Sequence, residues 1–164
     1  MTGYTVEFNV FKANLDPGNR SLGHMNVTLR GPDGSTYTIG ANQNRTGLGL
    51  IRRGCSRTDD GVIRREDGRL SEDHLTRGVP VTAEQFNAIL DALRALENTG
   101  YDYALIGSWF GGEAQACTDW ANRIYRATGH PGDVGDLFSL MTGWGSEVRS
   151  GTLFQAHRYG GFRL

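Results

Sequence analysis

Along the first forty residues apolar and polar positions alternate. Val6, Phe8 and Val10 interleave with Thr5, Glu7 and Asn9, the period-two pattern of a strand with one buried face. In SLGHMNVTLR, Met25, Val27 and Leu29 fall on one face, and His24, Asn26 and Thr28 on the other. GPDG is a turn signal and STYTIG brings the chain back, so the pattern predicts a hairpin with His24 near the start of its first strand. From about 41 to 80 the alternation fades. NQNRTGLG and RREDGRLSEDHLTRG are polar and glycine-rich, and only GVIRR suggests a strand. This stretch reads as a long surface excursion, one that could border a substrate groove.

The period then changes. Thr82 followed by Gln85 forms a capping box, and Phe86, Ile89, Leu90, Leu93 and Leu96 recur at helical spacing. That helix is expected to end by Asn98-Thr99-Gly100. A second helix is expected to start between Gln115 and Cys117 and to stop at Gly129, with Pro131 beyond it. Trp120, Ala121, Ile124 and Tyr125 make its apolar face. Residues 145–164, with LFQAHRY, are expected to return to β. The fold class implied is α+β: an antiparallel sheet packed against two or three helices.

The chain has 164 residues, enough for one domain with a real core, so residues 1–164 are read as a single unit. Its 38% hydrophobic and 21% charged residues exclude a disordered or membrane-embedded chain, and no apolar run suffices for a transmembrane span. The opening MTGYTVEFNVFKANLD lacks a basic patch followed by an apolar block, so no signal peptide is expected. Net charge is −1, with the arginines spread along the chain, which leaves no footprint for nucleic acid. Cys55 and Cys117 are too few for a disulfide framework. His24, His74, His130 and His157 show no metal-ligand spacing, and neither a metal nor a cofactor is implied.

Cys117 stands out by position. It precedes Trp120, Ala121 and Ile124 by three, four and seven residues, so it points with the buried face of its helix. It also lies in the first turn, where unpaired N–H groups and the helix dipole favour an anion. The thiolate is the reactive form of cysteine. The same N–H groups could hold the oxyanion of an acyl-transfer intermediate, and Gly111 and Gly112 upstream would let a substrate backbone approach. The plainer alternative is inert packing, the usual fate of a lone cysteine on an apolar face.

ACTDWANRIYRATG resembles the nucleophile helix of NlpC-type cell-wall peptidases, a papain-like family, through Cys117, Thr118, Trp120, Tyr125, Ala127 and Gly129. Ala116 departs from the polar residue usual there. LGHMNVTLRGPDGSTYTIG is similar to the family's histidine hairpin, in which Gly-His opens a strand that turns straight back. Here the hairpin precedes the cysteine, an order similar to the circularly permuted branch that includes lecithin:retinol acyltransferase-like enzymes. The segment from Val81 to Phe110 also looks like that branch, with Tyr103 and Leu105 in its tyrosine loop. The two blocks span residues 22–40 and 82–129.

The resemblance implies Cys117 as nucleophile and His24 as its base, within hydrogen-bond reach of sulfur. It places a polar orienting residue on the returning strand, at Thr38, with Thr36 or Asn26 as alternatives. His157 is the rival imidazole, since the conventional order puts histidine after cysteine. His130 reads as a turn residue, His74 as part of the charged excursion, and Cys55 as a bystander. The implied activity is cleavage of amide bonds in bacterial peptidoglycan stem peptides. Without a signal peptide or membrane anchor, such a domain would suit an antibacterial effector made in the cytoplasm and delivered, as by type VI secretion, to a rival's periplasm. Toxins of that kind commonly have a dedicated immunity protein as partner. The alternatives are a thiol acyltransferase or deamidase acting on a protein or lipid, and a non-catalytic binding module that kept the fold.

Overall fold

The computed structural model describes residues 3–11, 24–43, 58–103, 117–130 and 155–157. Its strands are β1 (Tyr4–Phe11), β2 (His24–Arg30), β3 (Thr36–Gln43), β4 (Thr58–Arg65), β5 (His74–Val81), β6 (Gly100–Tyr103) and β7 (Gln155–His157). They form one sheet in the order β6-β4-β3-β2-β1-β5-β7, every neighbouring pair antiparallel. Two α-helices, α1 (Ala83–Leu96) and α2 (Cys117–Ala127), accompany it, with a 3-10 turn at Asp67–Ser71. The architecture is α+β among the described residues.

The predicted hairpin is β2–β3. Gly34 adopts the left-handed φ of +82° that favours glycine, and Gly31 N–H donates to the Ser35 carbonyl at 2.9 Å. Register aligns Val6, Phe8 and Val10 of β1 with Leu29, Val27 and Met25 of β2, then Val27 and Leu29 with Ile39 and Tyr37 of β3. This makes one continuous apolar face, and both helices pack on it. Phe86, Ile89 and Leu93 of α1 and Trp120, Ala121, Ile124 and Tyr125 of α2 join its core. Phe8 meets Tyr125 edge-on at 5.4 Å between ring centroids, and Tyr4 tilts against Phe86 at 4.8 Å.

The capping box of α1 is present. Gln85 N–H donates to Thr82 Oγ1 at 3.1 Å, and Thr82 N–H donates back to Gln85 Oε1 at 3.0 Å. After the helix, Asn98 takes a positive φ of 62° and donates its N–H to the Ile63 carbonyl at 2.7 Å, tying the turn to β4. Leu96, expected on the buried face, is 40% exposed.

The reading of residues 41–80 as a surface excursion is corrected. β3 runs on to Gln43, β4 occupies Thr58–Arg65, and β5 is an interior strand paired along its whole length with β1. In HLTRGVPV the face toward the core carries the buried Leu75 and Val79, with Arg77 between them lying over the Tyr125 ring at 4.6 Å. Thr76, on the other face, satisfies its hydroxyl by donating to Asn9 Oδ1 at 2.7 Å. Pro80 argues against a strand in sequence. It is tolerated beyond the three positions, His74–Thr76, at which β7 pairs with β5. Of the predicted C-terminal β stretch, β7 is described, and its remainder lies outside the described residues.

Phe8 is fully buried, so Phe8→Ala should destabilise the protein by about 3–5 kcal/mol in urea denaturation. Leu96→Ala should change stability by less than about 1 kcal/mol. Equal effects would contradict the packing described.

Candidate functional site

Three elements converge on the first residue of β2. His24 pairs in register with Phe11 of β1, and its ring lies 6.2 Å from the Phe11 ring. Cys117 is the first residue of α2, a helix that packs on β2 and β3. Its thiol lies near enough to the His24 side chain to contribute to the raised imidazole pKa. Both residues are buried. Burial alone would suit a packing thiol; a position beside a buried, charged imidazole does not follow from packing.

The third element brings a carboxylate. Glu66 follows β4, and its N–H donates to the Thr38 carbonyl at 3.0 Å, so its backbone stays attached to β3. Its side chain lies beside Gly40 of β3, where a Cβ would come within 2.5 Å of Glu66 Cδ and Oε2. The carboxylate oxygens stand 2.9 and 3.0 Å from His24 Nε2. Asn26 Nδ2 donates to Oε2 at 2.8 Å, and Asn42 Nδ2 donates to Oε1. Behind them, Asn9 Nδ2 donates to Asn26 Oδ1 and Thr28 Oγ1, each at 2.9 Å, and Thr28 and Thr38 share a hydroxyl bond of 2.8 Å. The result is a hydrogen-bonded polar network across the sheet face opposite the apolar core.

Burial opposes the charged form of His24, but the Glu66 charge and the hydrogen bonds to Cys117 and Glu66 outweigh it and raise the imidazole pKa to about 9. Burial likewise works against the Glu66 carboxylate. The imidazolium beside it, with hydrogen bonds from His24, Asn42 and Asn26, brings its pKa down to about 2. Near neutral pH the pair is therefore an imidazolium on a carboxylate.

Of the residues singled out in the sequence, the structure brings His24 and Cys117 together. Thr38 does not meet the imidazole through its side chain: its hydroxyl bonds to Thr28, its N–H donates to Asp67 Oδ1 at 3.0 Å, and its carbonyl holds Glu66. Thr36 is exposed. Asn26, the other alternative, supports the carboxylate. Glu66 was not legible in sequence because it lies in a charged run 42 positions from His24, where nothing marks it for burial.

His74, read as part of an excursion, is a buried residue of β5 whose Nδ1–H donates to the Glu72 carbonyl at 2.7 Å. His157 lies in β7 in register with His74. That is three strands from β2, about 14 Å at the usual strand spacing. His130 is exposed after α2. Cys55, Leu105, Gly111, Gly112 and Ala116 lie outside the described residues. Among the described residues no group of three or more His, Cys, Asp or Glu side chains could hold a metal ion. A comparison with protein families, characterised proteins and solved structures finds no match to this chain.

The ion pair sets a pH window for stability. Glu66, depressed from 4.5 to about 2, contributes fully above about 4.5, and that contribution is lost as pH falls toward about 2. His24, raised from 6.5 to about 9, contributes fully below about 6.5, and that contribution is lost as pH rises through about 9. Unfolding free energy from urea titrations should therefore plateau between about pH 4.5 and 6.5 and fall on both sides. Glu66→Gln should flatten both flanks; an unchanged profile in that variant would contradict the pairing.

Proposed function

We propose that this chain is a cysteine hydrolase cleaving amide bonds in bacterial peptidoglycan stem peptides, with Cys117 as nucleophile and His24 as its proton partner. The observation that carries the reading is a single imidazole that meets a thiol and is held by a buried carboxylate. Papain-like chemistry needs an imidazole within reach of the thiol and a polar group that orients it, a part the carboxylate can take. In the proposed reaction, Cys117 sulfur attacks the scissile carbonyl carbon. The oxyanion that forms is stabilised by backbone N–H groups of the first turn of α2. As the tetrahedral intermediate collapses, the C–N bond breaks and the imidazolium gives its proton to the departing amine. Water then attacks the thioester, losing a proton to His24, and the acid leaves as sulfur is released. A raised imidazole pKa keeps the acid charged at neutral pH, which serves the protonation of the amine.

The substrate comes from the resemblance of the cysteine helix and histidine hairpin to permuted NlpC-type peptidases. So does the proposed setting, an antibacterial effector acting in a target periplasm with an immunity protein as partner. No helix among the described residues is long and apolar enough to cross a membrane.

Purified peptidoglycan should release stem-peptide fragments bearing a new free amine, detected by mass spectrometry. Cys117→Ala and His24→Ala should each lower kcat/KM by ~10²-fold or more, and the double variant should be no worse, because the two act as a unit. His157→Ala should retain most activity. An active His24→Ala beside an inactive His157→Ala would contradict the permuted arrangement. Intact muropeptides with equal toxicity on cytoplasmic and periplasmic expression would favour a deamidase or acyltransferase.

A further inference from the structure

We infer that Gly40 and Glu66 form one positioning device for His24. The glycine leaves open a place on β3 beside the site, and the carboxylate brought from the end of β4 fills it. As an assignment of roles in turnover this rests on the thiol-hydrolase reading; as an account of how the imidazole is held, it stands without it.

Gly40 is opposite Asn26 in the register of β2 and β3. Any side chain at position 40 would thus share the face that carries His24, Asn26 and Asn42. Glycine in a strand interior is unfavourable and calls for a reason. Backbone conformation does not supply one, since the left-handed φ values among described glycines belong to Gly34 and Gly129. Space does. The three nearest atoms to a Cβ built at position 40 are Cδ, Oε1 and Oε2 of Glu66, all at 2.5–2.6 Å. They are the carboxylate group itself, fixed by His24, Asn26 and Asn42 and unable to swing aside without breaking those bonds. The orienting group expected on the returning strand is therefore supplied from a different strand end, through a gap that β3 leaves for it.

The groups around the imidazole allow the assignment to be read through its titration. Glu66 reaches it from the end of β4 and Cys117 from α2. On the β1 side stands the uncharged ring of Phe11, with His74 of β5 beyond it at 5.2 Å and the Arg69 guanidinium 4.8 Å from the same ring. Of these, Glu66 is the anion in direct contact with His24.

The test is an NMR titration of the His24 ring in the full chain, alongside the pH dependence of kcat/KM, for wild type, Gly40→Ala and Glu66→Gln. Wild type should titrate near 9. Both variants should move toward the ordinary value of 6.5, carry the alkaline limb of kcat/KM down with them, and lose about tenfold or more in rate. In a Glu66→Ala background, Gly40→Ala should have no further effect, because the atoms it would meet are gone. Wild-type titration and rate in Gly40→Ala, or additive losses in the double variant, would overturn the inference. Should Gly40→Ala fail to fold, the near-isosteric Glu66→Gln carries the same titration, and an unmoved His24 there would overturn it equally. The ring titrates whether or not any substrate is cleaved, so absent turnover with a shifted His24 would refute the hydrolase reading alone.

Discussion

A carboxylate and an imidazole buried side by side are expensive to desolvate, and much of the sheet is arranged to make that tolerable. Breaking such a pair by removing one partner leaves an uncompensated charge and typically costs about 3–5 kcal/mol. Here each Glu66 oxygen receives a side-chain amide besides the imidazole; the Asn26 amide is itself held by Asn9, which bonds to Thr28 and Thr76, and Asn42 also donates to the Gly40 carbonyl. This explains a sheet whose two faces are both buried but differ in character. One face carries the apolar core and the helices. The other carries hydrogen-bonded Asn and Thr side chains, as buried polar groups require.

Local features of the fold were legible because local chemistry causes them. The alternation in β1 and β2, the turn around Gly34 and the Thr82–Gln85 capping box depend on residues a few positions apart, and each is present. β4 and β5 were not legible as a pair of full strands. Their polar positions are satisfied by partners far along the chain, as Thr76 is by Asn9, and Pro80 disguises the rest. The site divides in the same way. Cys117 showed itself as a helix-opening residue and His24 as a polar residue on an alternating strand, but nothing in either segment encodes the carboxylate. Thr38 was the natural choice on the returning strand. The chain instead places a glycine one step along that face and brings Glu66 across the gap.

On the proposed reading, the same arrangement separates a reactive thiol from a packing one. Cys117 shares the apolar cluster with Trp120, Ala121 and Ile124, as an inert cysteine would, yet it opens α2 beside an imidazole that a carboxylate keeps charged. The helix and the ion pair are built from different parts of the chain and meet at this one cysteine. Rigidity follows from the hydrogen bonds: Glu66 fixes the imidazole at Nε2 and so sets the orientation of the ring.

The central claim is that the imidazole held by Glu66 activates Cys117, and alkylation of the native protein by iodoacetamide near neutral pH, followed by peptide mass spectrometry, tests it most directly. The account predicts that Cys117 is modified before Cys55, and that His24→Ala slows Cys117 while leaving the rate at Cys55 unchanged. Modification of Cys55 first, or a Cys117 rate indifferent to His24, would contradict it.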